Sequence, residues 1–374
     1  MKFRKRPSHP RAARLIFSAA VLSLLLPVYF TGCDSQGPSE TEAEFWARTE
    51  AFVTQHMDPQ GSGFAFVVVH DSAIAFARGW GMANIASGVP FSPNTPSCAA
   101  SLTKQFTAVA VLILYEDELL TLETPILSIL PELPAAWSAI TIHHLLTHQS
   151  GIPNYTDIVG DEPSSIDGLT NEDALNLVLA DPILDFPPGT NASYSNTGYL
   201  ILAMIVERLA GSSYSDFLSE NIFEPLGMTS TFVSDESVVY PPNAAQPYDE
   251  HNHLYEYTLY TYGATGIYTT LNDYAKWDLA LYTDAIVRQS TLQLAFTGYT
   301  GGDNNFGYGW MIGTHRGSRS LRHGGFSTGF LNYVLRIPGK RFTYLFLSNG
   351  GVFANDGFDT WTSELMDMIL SYYL

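Results

Sequence analysis

Pro96-Ser-Cys-Ala-Ala-Ser101-Leu-Thr-Lys104-Gln-Phe-Thr-Ala-Val-Ala-Val-Leu-Ile-Leu-Tyr-Glu116 is the stretch on which the fold of this chain turns. A loop rich in Pro, Ser and Asn (Pro90–Ser97) leads into Ala99–Glu116, a run apolar enough to predict a buried helix. Ser101 then falls in its first turn and Lys104 one turn on, on the same face. A serine hydroxyl is a weak nucleophile until a base stands beside it. A lysine held in apolar surroundings gives up its proton more readily, because burial disfavours the charged form, and a helix N-terminus favours negative charge developing on the serine oxygen. The S-x-x-K spacing also arises by chance, and a helix cap followed by an exposed lysine would read the same way. Scarcity separates the two readings, because beyond residue 33 lysine occurs only at 104, 276 and 340.

Towards the N-terminus, Phe64–Val69 and Ala73–Ala77 are short apolar runs separated by His70-Asp71-Ser72, the pattern of a hairpin. From Glu44, Phe45/Phe52 and Trp46/Val53/Met57 recur at helical spacing. Helical stretches follow at Ile140–Thr147, Asn171–Ala180 and Gly198–Leu209, joined by Pro/Gly/Asn loops. In the last third, Leu331–Ile337 and Phe342–Leu347 flank Pro338-Gly339-Lys340 as a second hairpin, and Phe358–Leu370 is an amphipathic helix. This order predicts an α+β body spanning residues 44–374. Its α/β part covers about 44–115 and 262–374, and a helical insertion covers about 116–261.

Two further motifs carry chemistry. Tyr194-Ser195-Asn196 follows Phe186-Pro-Pro-Gly-Thr190 at a loop-to-helix junction. A phenol beside an ammonium can act as a base, and an asparagine can hold a substrate amide; taken alone, the tripeptide is an ordinary helix cap. His323-Gly324-Gly325-Phe326 precedes the apolar run at 331–337. Its glycines let a substrate lie close to backbone N–H groups able to hold an oxyanion, although a plain glycine turn would look alike.

In this order the three motifs resemble those of the serine β-lactamase and penicillin-binding superfamily: S-x-x-K, Tyr-x-Asn, and a Lys- or His-x-Gly element. The likeness is nearest to the branch holding class C β-lactamases, D-alanyl-D-alanine carboxypeptidases, D-aminopeptidases and family VIII esterases. Thr141-Ile-His-His-Leu-Leu-Thr-His-Gln-Ser-Gly-Ile-Pro153, Phe186–Gly198, Pro225-Leu-Gly-Met228 and Phe306-Gly-Tyr-Gly-Trp310 resemble that branch's other signatures, so the match runs over roughly residues 44–374. It implies an antiparallel sheet flanked by N- and C-terminal helices with an inserted all-helical subdomain. It also implies that Ser101 is acylated, with Lys104 and Tyr194 as proton-transfer partners. Asn196, His323, Gly324 and Gly325 would meet substrate, and the backbone N–H groups of Ser101 and Phe326 would form the oxyanion hole. No cofactor or metal is implied. Three positions depart from the pattern: His323 stands where most β-lactamases have lysine, Phe326 where a small residue is usual, and Thr265 where glycine is typical. With a reference pKa of about 6.5, His323 is a poorer fixed charge for a substrate carboxylate, which lowers the expectation of efficient β-lactam hydrolysis.

Rival readings are weaker. Gly325-Phe-Ser327-Thr-Gly329 fits a G-x-S-x-G nucleophile elbow, but that triad needs a later histidine and His323 is the last. His144 and His148 would share a helix face, yet the H-E-x-x-H glutamate is missing, so His143, His144 and His148 read as hydrogen-bonded structural histidines rather than metal ligands. Cys98 reads as a small buried packing residue. The non-enzyme alternative is a catalytically silent envelope binder or sensor of the same fold, against which the three intact motifs speak.

Composition bounds the setting. The chain has 374 residues, 18 Lys+Arg, 37 Asp+Glu and two cysteines, which excludes a disulfide framework and argues against binding nucleic acid through broad electrostatics. Six of the basic residues and no acidic one lie within 1–33, so the remainder carries 12 − 37 = −25. That segment has a basic start, the apolar stretch Leu15–Phe30 and then Thr31-Gly32-Cys33, which reads as an export signal with a lipoprotein-like box, Cys33 becoming a lipidated first residue. Asp34–Ala43 reads as a flexible acidic tether. The expected setting is a bacterial cell envelope, with membrane contact only through that anchor. The expected partner is a small-molecule or peptide substrate, peptidoglycan-derived peptides among them.

Overall fold

Six consecutive residues of β1 (Phe64–His70) are apolar and buried, and a strand sustains such a run only where both of its faces are covered. Residues alternate between faces. Phe64, Phe66 and Val68 therefore meet Phe45, Trp46 and Val53 of the N-terminal helix Glu42–His56, together with Leu365, Met366, Ile369 and Leu370 of the C-terminal helix Trp361–Tyr373. Ala65, Val67 and Val69 face the larger core, which contains the helix Thr103–Glu116. Each fully buried ring on the first face contributes about 1.5–3 kcal/mol.

The computed structural model describes residues 40–160, 163–302, 304–350 and 361–374. The expected export segment, Cys33, most of the tether and Phe358 lie outside the described residues, and the body described here begins at Ala43. The N-terminal helix starts at Glu42, so the last residues assigned to the tether are helical.

After β1, the strands in chain order are β2 (Ala73–Trp80), β3 (Met82–Asn84), β4 (Val89–Pro90), β5 (Ser97–Cys98), β6 (Phe232–Val233), β7 (Ile267–Thr269), β8 (Met311–His315), β9 (Ser318–Ser327), β10 (Phe330–Ile337) and β11 (Phe342–Ser348). Six form one sheet, ordered β2-β1-β11-β10-β9-β8, antiparallel throughout. Both predicted hairpins are present. The β1–β2 turn consists of Asp71 and Ser72, each with positive φ, as the twist of a two-residue hairpin requires. β10 and β11 are joined through the short 3-10 turn Pro338–Lys340.

The predicted helices form between local stop signals. Thr141 and Thr170 close capping boxes ahead of Ile142–Leu146 and Asn171–Leu179, and Ser195 caps Asn196–Ala210, which ends at Gly211 in the left-handed conformation. The helical insertion is not wholly helical, since β6 pairs with β7 in a three-stranded sheet ordered β5-β7-β6.

Candidate active site

The predicted helix Ala99–Glu116 begins differently from its sequence reading. Ala100 takes a positive φ of 48°, Ala100–Leu102 form a 3-10 turn, and the α-helix starts only at Thr103. Ser101 thus precedes the α-helix instead of lying in its first turn. A β-carbon in the left-handed region costs about 1–3 kcal/mol, so this turn is held by its surroundings. Ser101 in the 3-10 turn and Lys104 in the first turn of the α-helix nevertheless come within hydrogen-bond reach.

Lys104 is fully buried. Its Nζ donates to Ser101 Oγ at 3.1 Å, to Asn196 Oδ1 at 2.7 Å and to the Ala264 carbonyl at 2.9 Å, spending all three hydrogens of the ammonium form. The Tyr194 ring lies 4.7 Å from that nitrogen and the Tyr199 ring 5.6 Å. Burial holds Lys104 well below the usual lysine pKa. It pushes Tyr194 up, opposed by a hydrogen bond with the Ser101 side chain. The first two motifs therefore meet at one nitrogen, and the capping reading of Tyr194-Ser195-Asn196 holds as well, because Ser195 is the cap.

Asn196 is fixed at both ends of its amide. Its oxygen accepts from Lys104, and its nitrogen donates to Thr156 Oγ1 at 3.3 Å. The third motif lies within β9, not in a turn. Gly325 is pressed against the nucleophile's turn: a β-carbon there would stand 2.7 Å from the Ala99 carbonyl. A β-carbon on Gly324 would meet nothing within 4 Å. The β8–β9 ladder reaches only Met311↔Arg322, so residues 323–327 pair with β10 on one side while β9 passes the Ala100–Leu102 turn. Phe326 is 54% exposed and lines the cleft with Ser101, Tyr155, Thr156, Asn196 and Thr265.

Sequence reasoning undervalued His148. The helix carrying His143 and His144 stops at Leu146, and His148 has a φ of 59°, so His144 and His148 do not share a helix face. His144 Nδ1 instead accepts from the Thr141 N–H, and His143 Nδ1 contacts Tyr308 OH at 2.9 Å. His148 is buried behind Tyr194, ring centroids 4.5 Å apart. Its carbonyl accepts from Ser193 N–H at 2.9 Å and its Nδ1 from Ser195 N–H at 3.2 Å, which fixes the loop presenting Tyr194. His148 is one of six polar residues in the mixed segment 142–152, so its local sequence gave no distinguishing signal. The Ala264 carbonyl, a backbone atom, left none either.

Comparison with known proteins places this arrangement. Residues 49–365 match the family described as Beta-lactamase. The chain belongs to that family. It is 30% identical over 74% of its length to a penicillin-binding protein of Bacillus subtilis (strain 168), covering 65% of that protein. It is 26% identical over 77% of its length to a D-aminopeptidase of Gluconobacter oxydans (strain 621H), covering 56% of it. The chain thus spans less than two thirds of these curated relatives. A solved penicillin-binding protein from Bacillus halodurans superposes with a TM-score of 0.73 at 26% identity, over 87% of this chain and 99% of the other. The D-amino acid amidase of Ochrobactrum anthropi SV3, solved with L-phenylalanine amide, shares the fold with a TM-score of 0.75 at 22% identity, over 88% of this chain and 98% of that one.

Within the Beta-lactamase family frame, the departure at His323 is electrostatic. The ring is 4% exposed, and its Nδ1 lies 2.6 Å from the Gly324 carbonyl. Burial, reinforced by the nearby Lys104 charge, lowers its pKa to about 4. The folded state therefore binds fewer protons than the unfolded state between pH 6.5 and about 4, and stability rises with pH across that window. Acidifying from pH 6.5 to 4 should cost about 3 kcal/mol through this group. Urea midpoints measured across that range should fall less steeply in His323→Asn. An equal slope in both proteins would remove His323 as the cause.

Proposed function

We propose that this chain is an exported serine hydrolase that forms an acyl-enzyme on Ser101 and cleaves amides, D-amino-acid derivatives among them, or small esters, in preference to β-lactams. The observation that carries the reading is the fully buried Lys104 with its Nζ 3.1 Å from Ser101 Oγ. Burial moves Lys104 towards the neutral amine and Tyr194 away from the phenolate, which supports Lys104 as the first proton acceptor. As Ser101 Oγ attacks the carbonyl carbon, its proton passes to Lys104 and the carbonyl electrons move onto oxygen, held by the N–H groups of Ser101 and Phe326. Collapse expels the amine or alcohol, which receives the proton through Tyr194. Water then attacks the ester, and Ser101 takes its proton back. Asn196 and the backbone at Gly324 and Gly325 position the substrate.

Two features support a substrate without a carboxylate at the centre. His323 is neutral near pH 7, and among the described residues none that lines the cleft is Asp, Glu, Lys or Arg. The names of the D-aminopeptidase and amidase relatives favour amides. The basic and apolar N-terminal segment supports export, with a lipid on Cys33 tethering the enzyme to the envelope.

Intact mass spectrometry of the envelope-extracted protein tests both parts. A fluorophosphonate should add one adduct to the wild type and none to Ser101→Ala, and the mature N-terminus should be a lipid-bearing Cys33. An adduct that survives Ser101→Ala would refute the nucleophile, and an unmodified N-terminus would refute the anchor. D-amino-acid amides and acetyl esters should be turned over faster than a chromogenic cephalosporin.

A further inference from the structure

The catalytic cleft adjoins a second chamber. Leu259 and Ser327 line the cleft on one side and a cavity of about 160 Å³ on the other. The chamber is walled by Cys98 of β5, Tyr268 of β7, and Tyr240, Gln246 and Tyr257 from the segment between β6 and β7. Among the described residues, none in its lining is Asp, Glu, Lys, Arg or His. Burial raises the Tyr257 and Tyr268 phenols and lifts the Cys98 thiol to about 11, so the wall is uncharged around neutrality.

Four of its hydroxyl hydrogens, those of Ser234, Tyr240, Tyr257 and Tyr268, are already committed. Ser234 donates to the Leu259 carbonyl at 2.9 Å, which makes Tyr240 the donor in its 2.5 Å contact with Ser234 Oγ. Tyr257 donates to the Thr328 carbonyl at 2.6 Å. Tyr268 bonds to Tyr240, whose own hydrogen is spent, so Tyr268 donates there. What remains for a guest is phenol lone pairs, the Thr258 and Ser327 hydroxyls and the Gln246 carboxamide, and the phenols can only accept. Buried acceptors left without a donor are costly, so a guest that brings a hydrogen is favoured over one that does not.

We propose that this chamber receives an uncharged, ring-sized group of the substrate that carries a hydroxyl or N–H donor. Its volume suits a ring, since a cavity of roughly 150 Å³ accepts benzene. A charged group would lose its hydration with no counter-charge in the wall. The inference adds a specificity pocket to the Ser101 hydrolase reading and rests on it.

The test separates the two. In Ser101→Ala protein, where catalysis plays no part, p-cresol should bind saturably by titration calorimetry. Its affinity should exceed that of 4-methylbenzoate and 4-methylbenzylamine by about tenfold or more, and that of 4-methylanisole by a smaller factor. Gln246→Phe and Ala245→Leu fill the chamber from two sides, and each should weaken p-cresol about tenfold. On the wild type, the kcat/KM ratio of 4-hydroxyphenylacetyl to acetyl nitrophenyl ester, or of 4-hydroxybenzyl to ethyl ester in the leaving group, should be about ten or more and fall towards one in Gln246→Phe. Equal binding of the charged analogues, or binding that both fillings leave intact, overturns the chamber. Turnover without p-cresol binding does the same. Binding of p-cresol by a protein that no fluorophosphonate labels would keep the chamber and overturn the hydrolase.

Discussion

Lys104→Met should lower kcat/KM by about 10³- to 10⁴-fold and abolish labelling of Ser101, because the variant removes the only amine near the hydroxyl while keeping the side chain's bulk. The geometry makes this loss nearly complete. Lys104 Nζ is the atom shared by Ser101, Asn196 and the Ala264 carbonyl, and among the described residues the other group beside Ser101 able to take a proton is Tyr194, whose phenol is held protonated by burial. Stability should change far less. Removing the donor leaves Asn196 Oδ1 and the Ala264 carbonyl short of a partner, about 1–3 kcal/mol each, but it also removes the cost of burying the polar amine. Lys104→Arg sharpens the test, since a guanidinium keeps the charge and cannot give up its proton near neutrality. If Lys104 only stabilised charge, the arginine variant would retain activity. Single-turnover acylation followed by mass spectrometry, with thermal midpoints alongside, distinguishes these outcomes.

Gly325→Ala should cost about 10²- to 10³-fold in kcat, with a smaller effect on KM. The added β-carbon would stand 2.7 Å from the Ala99 carbonyl and 3.2 Å from Asn332 Nδ2, and that amide already ties β10 to the Cys98 carbonyl at 2.9 Å. Both neighbours belong to the turn and strand that set the position of Ser101, so β9 has to move outward. A shift of a few tenths of an ångström moves the N–H groups off the oxyanion, whose hydrogen bonds are worth most at 2.7–3.1 Å. Gly324→Ala is the control, because its β-carbon meets no protein atom within 4 Å. It should hydrolyse acetyl esters normally and lose affinity only for larger substrates. An unchanged kcat in Gly325→Ala would refute β9 as the oxyanion edge.

What could be read from the sequence follows from where each signal is stored. S-x-x-K, Tyr194–Asn196 and His323–Gly325 were legible because side-chain chemistry at short spacing is written directly in residue types. The helices near 142, 171 and 196 were legible as apolar stretches between Pro/Gly/Asn loops, and the caps Thr141, Thr170 and Ser195 place their starts in the fold. The 3-10 turn at Ala100–Leu102 was not, since alanine and leucine are good helix formers and only tertiary contact with β9 explains the left-handed Ala100. Lys104's bond to the Ala264 carbonyl joins atoms 160 positions apart, and a carbonyl has no identity in a sequence. The depth at which His323 sits was likewise invisible, and it converts an ordinary histidine into one that stays neutral down to about pH 4.

The sheet order β2-β1-β11-β10-β9-β8 has a consequence for synthesis. β1 leaves the ribosome early, but its second neighbour, β11, is among the last strands made, with Phe64 opposite Ser348. Phe45 waits longer still, for Tyr372, whose ring stacks on it at 4.1 Å. Until those residues exist, the aromatic face of β1 has nothing to close upon, and the entropy of so long a loop delays pairing. A nascent chain with this topology leaves the aromatic face of β1 uncovered until β11 and the helix Trp361–Tyr373 have both been made.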